Sequence, residues 1–188
     1  MAFRHTRPAL IGAVTLACAV AALPGQAQVA TAPELKAAFL LNFVKFTTWP
    51  LSVAPDRADL TMCVVGDSRV VIALDDVTRG RRIDSRGIVV VTLADLDDVR
   101  RCHLLYASGL RAEQEQSLIN ATRGRPILTA SDSSTFVKRG GVAAFHTAGG
   151  RMKFSVNPSA AERAQLQISS KLLSLAVIEK DGSDAQIP

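Results

Sequence analysis

Ile88-Val89-Val90-Val91-Thr92-Leu93 is the strongest strand signal in the chain. Its β-branched residues suit a pleated, packed surface, and polar residues bound it on the N-terminal side. Upstream, Leu60 to Val65 is a second apolar run, closed by Gly66-Asp67-Ser68. Downstream come Cys102-His103-Leu104-Leu105-Tyr106 and then Ile127-Leu128-Thr129 after Arg125-Pro126. Between these runs lie helical patterns: Val70 to Asp76 with Leu74 inward, a turn at Asp95 to Val99, and Arg111 to Ala121 with Leu118 and Ile119 inward. Strands alternating with short helices predict an α/β fold with a mostly parallel central sheet and helices on both faces.

The ends of the chain add to this frame. Val142 to Thr147 and Arg151 to Val156 form a C-terminal hairpin across Ala148-Gly149-Gly150. Asp132 is a candidate cap for a short helix to Lys138, stopped by Gly140-Gly141. Asn157-Pro158 opens a long final helix as cap and first-turn residue, with Ile168, Leu172, Leu175 and Ala176 on its inner face. The expectation is therefore a single three-layer domain over 28–180, followed by a flexible tail over 181–188.

Glu34 to Trp49 reads as a helix ended by Pro50, with Leu35, Ala38, Phe39, Asn42, Phe43, Phe46 and Trp49 along one stripe. Leu40, Leu41 and Val44 lie off that stripe. They exceed what one face can bury, so they are candidates for a dimer or partner surface.

Residues 1–27 have the pattern of a secretory signal. Arg4 and Arg7 precede an apolar run from Ala9 to Leu23, and Gly25-Gln26-Ala27 supplies small residues for cleavage after Ala27, with Ala30 a second option. The run is short for a membrane span of about twenty residues. Cleavage removes both arginines and no acid, so the net charge falls from +5 to +3. The Arg79, Arg81 and Arg82 cluster lacks interleaved aromatics, and no nucleic-acid partner is expected.

Export makes the two remaining cysteines informative. Cys63 and Cys102 form an even pair in an oxidising compartment, so a disulfide is the default. Free thiols, or a metal site with His103 and His146, are the alternatives; the second lacks the usual local ligand pair. In one common doubly wound order the first and third strands are neighbours, which agrees with a bridge between them.

No motif assembles catalysis. Gly66-Asp67-Ser68 invites a hydrolase reading, but His146 has Ala143 three residues before it where an acid would stand. Asp75-Asp76 and Asp97-Asp98 read as exposed turns, and His103 and His146 as structural. No Walker or dinucleotide loop occurs. The expectation is a protein that is not an enzyme, with no cofactor and no metal.

Three segments together resemble one family. They are Leu35 to Phe46 ending in Trp49-Pro50; Cys102 to Tyr106 with Pro126 to Thr129 and Gly140-Gly141; and Arg151 to Asn157 with Ile168 to Ala176. In order and spacing the mature chain is similar to the YfiR family of periplasmic proteins. The resemblance implies a repressor that engages the periplasmic domain of a membrane-bound diguanylate cyclase, lowering cyclic di-GMP and biofilm formation. It implies that an outer-membrane-associated lipoprotein can sequester the repressor. It carries over no catalytic residue; its recurring cysteine pair matches Cys63 and Cys102, and the further cysteines of the characterised branch are missing here. Gln165 stands where the family's final helix leads one to expect Gly. The competing expectation is a periplasmic small-ligand binding or sensory subunit of another membrane system.

Overall fold

A computed structural model describes residues 32–55, 57–180 and 182. The signal peptide assigned to 1–27 lies outside the described residues, as does nearly all of the tail. No described helix is long and apolar enough to cross a membrane.

The chain runs α1 (Ala32–Lys45), β1 (Thr47–Thr48), β2 (Leu60–Val65), α2 (Ser68–Thr78), β3 (Ile88–Thr92), a 3-10 turn at Asp97–Arg101, β4 (Leu104–Ala107), α3 (Ala112–Thr122) and β5 (Leu128–Ser131). A second 3-10 turn at Val137–Arg139 leads to β6 (Ala143–Ala148), β7 (Arg151–Val156), α4 (Pro158–Arg163), β8 (Gln167–Ile168), α5 (Ser170–Leu173) and β9 (Val177–Ile178). The main sheet has the order β3-β2-β4-β5-β6-β7-β9, while β1 and β8 form a small antiparallel ribbon. β2 through β6 are parallel, β7 returns antiparallel to β6, and β9 runs parallel to β7. The α/β expectation holds, and the first strand of the sheet lies between the second and third, as in the doubly wound order.

Strand alternation sorts the core into two layers. Leu60, Met62, Val64, Leu104, Tyr106, Leu128, Ala130 and Phe145 face one cluster with residues of α1, α2, α4 and α5. Cys63, Leu105, Ala107 and Ala144 face the other, against Leu118 and Ile119 of α3 and Val137. Helices therefore cover both faces. The strongest strand signal, β3, lies at the sheet edge, and Val89 is exposed there. The hairpin turn places Gly149 and Gly150 both at positive φ, which the tight two-residue connection requires.

Two helix expectations are corrected. The first helix stops at Lys45 and not at Trp49; Thr47 and Thr48 leave it to pair with Ile168 and Gln167. Its buried face is Ala37, Leu40, Leu41, Phe43 and Val44, one step around from the stripe read in the sequence. The long final helix is broken into α4, β8 and α5. Asn157 caps α4 as expected, its Oδ1 accepting from the Ala160 N–H at 3.0 Å. The helix then ends because Gln165 takes φ 56° and the Leu166 N–H turns back to the Ala161 carbonyl at 2.9 Å. That left-handed residue is where Gly is ordinarily favoured. Leu175, expected inward, is exposed.

Candidate functional site

In an open parallel sheet the crevice at the carboxyl ends of the strands, where the strand order reverses, is the usual ligand position. Here that point lies between β2 and β4. Gly66 turns the chain out of β2 at φ 99°, and a Cβ there would collide with the Ser108 backbone carbonyl. Asp67 then caps α2 by accepting from the Arg69 N–H at 3.0 Å. Its own N–H donates to Ser108 Oγ at 3.0 Å. The Arg69 guanidinium donates to both Asp67 oxygens, and that side-chain bonding holds the carboxyl below its ordinary value. Gly66-Asp67-Ser68 is thus a strand-to-helix turn whose acid is committed to capping.

Beside it, three side chains from distant segments converge. Lys36 Nζ lies 2.7 Å from Asp132 Oδ2, and Tyr106 donates its hydroxyl to the same oxygen at 2.8 Å. Tyr106 is fully buried, and burial, reinforced by the Asp132 charge, pushes its phenol far above the ordinary tyrosine value. Asp132 Oδ1 is buried without a hydrogen-bond partner among the described residues. The carboxylate therefore depends on Lys36 and Tyr106 for compensation. Asp132 ties α1 to β4 and β5 and does not cap the following turn, a correction to the sequence reading. No local signal could have found this triad, because its members lie 96 and 26 residues apart.

Cys63 and Cys102 are joined in a disulfide with Cα atoms 5.8 Å apart, inside the ordinary span. Cys102 closes the 3-10 turn before β4 and is not itself in the strand. With both sulfurs bonded to each other, neither is a thiolate ligand. His103 is clamped: its Nδ1 accepts from the Thr61 N–H at 3.0 Å, and its Nε2 lies 3.0 Å from the Val53 carbonyl, to which it can donate. Trp49 Nε1 donates to the His103 carbonyl at 3.2 Å and the two rings meet edge-on. Among the described residues, no group of three His, Cys, Asp or Glu is placed to hold a metal ion.

Leu40, Leu41 and Val44 are 0%, 8% and 1% exposed within the chain itself. Leu40 and Val44 belong to the main core cluster, beside Phe43, which packs on Phe145 and Phe154. Their assignment to a dimer or partner surface is therefore corrected: the helix spends its apolar surplus on α2 and the sheet. Apart from Leu35 near the start of α1, the exposed large apolar side chains lie elsewhere, notably Leu175, Val177 and Ile178 at the β9 edge and Ile72 on α2.

A family model described as YfiR/HmsC-like matches residues 33–177. The chain belongs to the YfiR/HmsC-like family. The match spans α1 through the start of β9, so both core layers, the disulfide and the Lys36–Asp132–Tyr106 triad fall inside this YfiR/HmsC-like region. Among solved structures, a conserved domain protein from Vibrio cholerae is similar at 13% identity with a TM-score of 0.49, over 79% of this chain and 60% of that one. Comparison with curated proteins gives no match.

Proposed function

We propose that the mature protein is a periplasmic repressor that binds the periplasmic domain of an inner-membrane diguanylate cyclase and lowers cyclic di-GMP output. The observation that carries this reading is membership of the YfiR/HmsC-like family across 33–177. It acts by binding and not by catalysis. The residues that could serve chemistry have other commitments: Asp67 caps a helix, His103 is held at both ring nitrogens, and both sulfurs form the bridge. The signal-like segment over 1–27 supports delivery to the periplasm, with no direct access to a cytoplasmic active site.

The partner surface in this reading is the β9 edge. Leu175, Val177 and Ile178 are 73%, 46% and 50% exposed within four residues, at a strand whose outer side has no neighbour in the sheet among the described residues. Such an edge offers apolar contact and backbone pairing together. A homodimer and a sequestering outer-membrane lipoprotein belong to the same proposal. Binding shifts a two-state partner only through a difference in affinity for its states. A preference of about a hundredfold, roughly 2.7 kcal/mol, moves a balanced cyclase almost wholly to its inactive state. The test uses the full-length cyclase in proteoliposomes with the mature protein on the periplasmic side. Synthesis should fall in its presence, and Leu175→Glu with Ile178→Glu should relieve the inhibition; unchanged synthesis at saturating protein would defeat the reading.

A further inference from the structure

At the N-terminal ends of the interior strands β5 and β6, opposite the strand ends that carry Asp132, lies a cavity of about 500 Å³, within the size range of small-molecule sites. Ile127 and Val142, just before β5 and β6, form its floor with Ile119 of α3, all nearly buried. Four cations line it, Arg123, Lys138, Arg139 and Arg163, and no acidic residue does among the described residues. Arg123 and Arg163 occupy helix C-terminal ends, where a cation is favourable against the dipole. That accounts for two of the four charges but not for the cavity they enclose. The acids that reach the others do so at long range: Glu179 is 3.9 Å from Lys138, and Glu115 is 3.7 Å from Arg139. Among the described residues, Arg123 bonds only the neutral Asn120 amide oxygen, at 3.3 Å. Thr129 also lines the space; its Oγ1 accepts the Val142 N–H at 3.0 Å, which leaves the hydroxyl proton available as a donor.

We infer that this groove binds a small amphiphilic anion, a carboxylate or phosphate carried on a compact apolar body. The apolar body covers Ile119, Ile127 and Val142, and the charged head meets Arg123 and Lys138 at the rim. The cavity lies away from the triad but beside the segment that follows β9, where Glu179 is 3.9 Å from Lys138; its own lining, and not the repressor reading, carries the inference.

The test is a titration of the mature full chain followed by amide chemical shifts. Octanoate and octyl phosphate are the probes, and octanol is the neutral analogue. Saturable shifts at Ile119, Ile127, Thr129 and Val142 are expected, and whichever anion binds more tightly names the head group. Arg123→Gln and Lys138→Gln, both at solvent-facing positions, should each weaken binding about tenfold, the loss of one charge-assisted contact. Absence of saturation, equal binding of octanol, or unaltered affinity in both variants overturns the inference. So does a chain ending at Gly182 that alone gains binding, because the groove would then belong to the protein's own residues 183–188.

Discussion

Tyr106 and Lys36 share one oxygen of Asp132: the phenol donates to Oδ2 at 2.8 Å and the ammonium lies 2.7 Å from the same atom. A neutral phenol is needed for this arrangement. Because the folded phenol titrates above its unfolded value, its contribution is complete below the ordinary tyrosine range of about 10 and is lost as pH rises through and beyond that range. The chain has one tyrosine and one tryptophan, so both probes are unambiguous. Tyrosinate absorbance should appear only together with the change in Trp49 fluorescence that marks unfolding. Tyrosinate formation near pH 10 with Trp49 unchanged would show that the phenol is not held.

The bridge between Cys63 and Cys102 closes a loop with a sequence separation of 39. In the chain-entropy model this is worth about 4 kcal/mol. Replacing both cysteines by Ala should lower the denaturation midpoint accordingly, and non-reduced peptide mapping should find the two residues linked. Recovery of two free thiols from exported protein would contradict the bridge.

Gln165 occupies a left-handed conformation at the end of α4. Gln165→Gly should stabilise the protein by about 1 kcal/mol, because the side chain opposes that backbone region. A destabilising outcome in urea unfolding would mean that Gln165 makes a contact worth more than its strain.

Leu40 is fully buried and Ile72 is exposed. Leu40→Glu should cost at least about 4 kcal/mol or prevent folding, by placing a charge in the core. Ile72→Glu should change stability by less than about 0.5 kcal/mol. If Leu40→Glu instead left a stable protein of altered oligomeric state, the surface assignment of α1 would return.

Much of the sheet was legible because each strand carries its own signal. Leu60–Val65 and Arg151–Val156 are bounded by turn residues and match the reading residue for residue. The disulfide was legible because an even cysteine count, in a chain whose N-terminus reads as a secretory signal, constrains it. What was not legible depends on neighbours the sequence does not display. Phe46 through Trp49 continue a helical spacing, yet Thr47 and Thr48 pair with a segment about 120 residues away, and that pairing overrides propensity. Gln165 by itself gives no sign of positive φ; only the family resemblance, which leads one to expect Gly there, pointed to the place where the final helix breaks. Leu40, Leu41 and Val44 looked surplus only because the stripe was placed one step off around the helix. The Lys36–Asp132–Tyr106 triad needs the strand order before it can be assembled.

The central claim is repression of a cyclase from the periplasmic side, and cellular cyclic di-GMP measures it most directly. Its concentration should be compared in wild-type cells, in a deletion strain, and in that strain carrying either the full gene or a form lacking residues 1–27. Deletion should raise cyclic di-GMP, the full gene should restore the low level, and the form lacking 1–27 should fail to do so. An unchanged concentration on deletion, with a membrane-bound cyclase expressed in the same cells, would contradict the account.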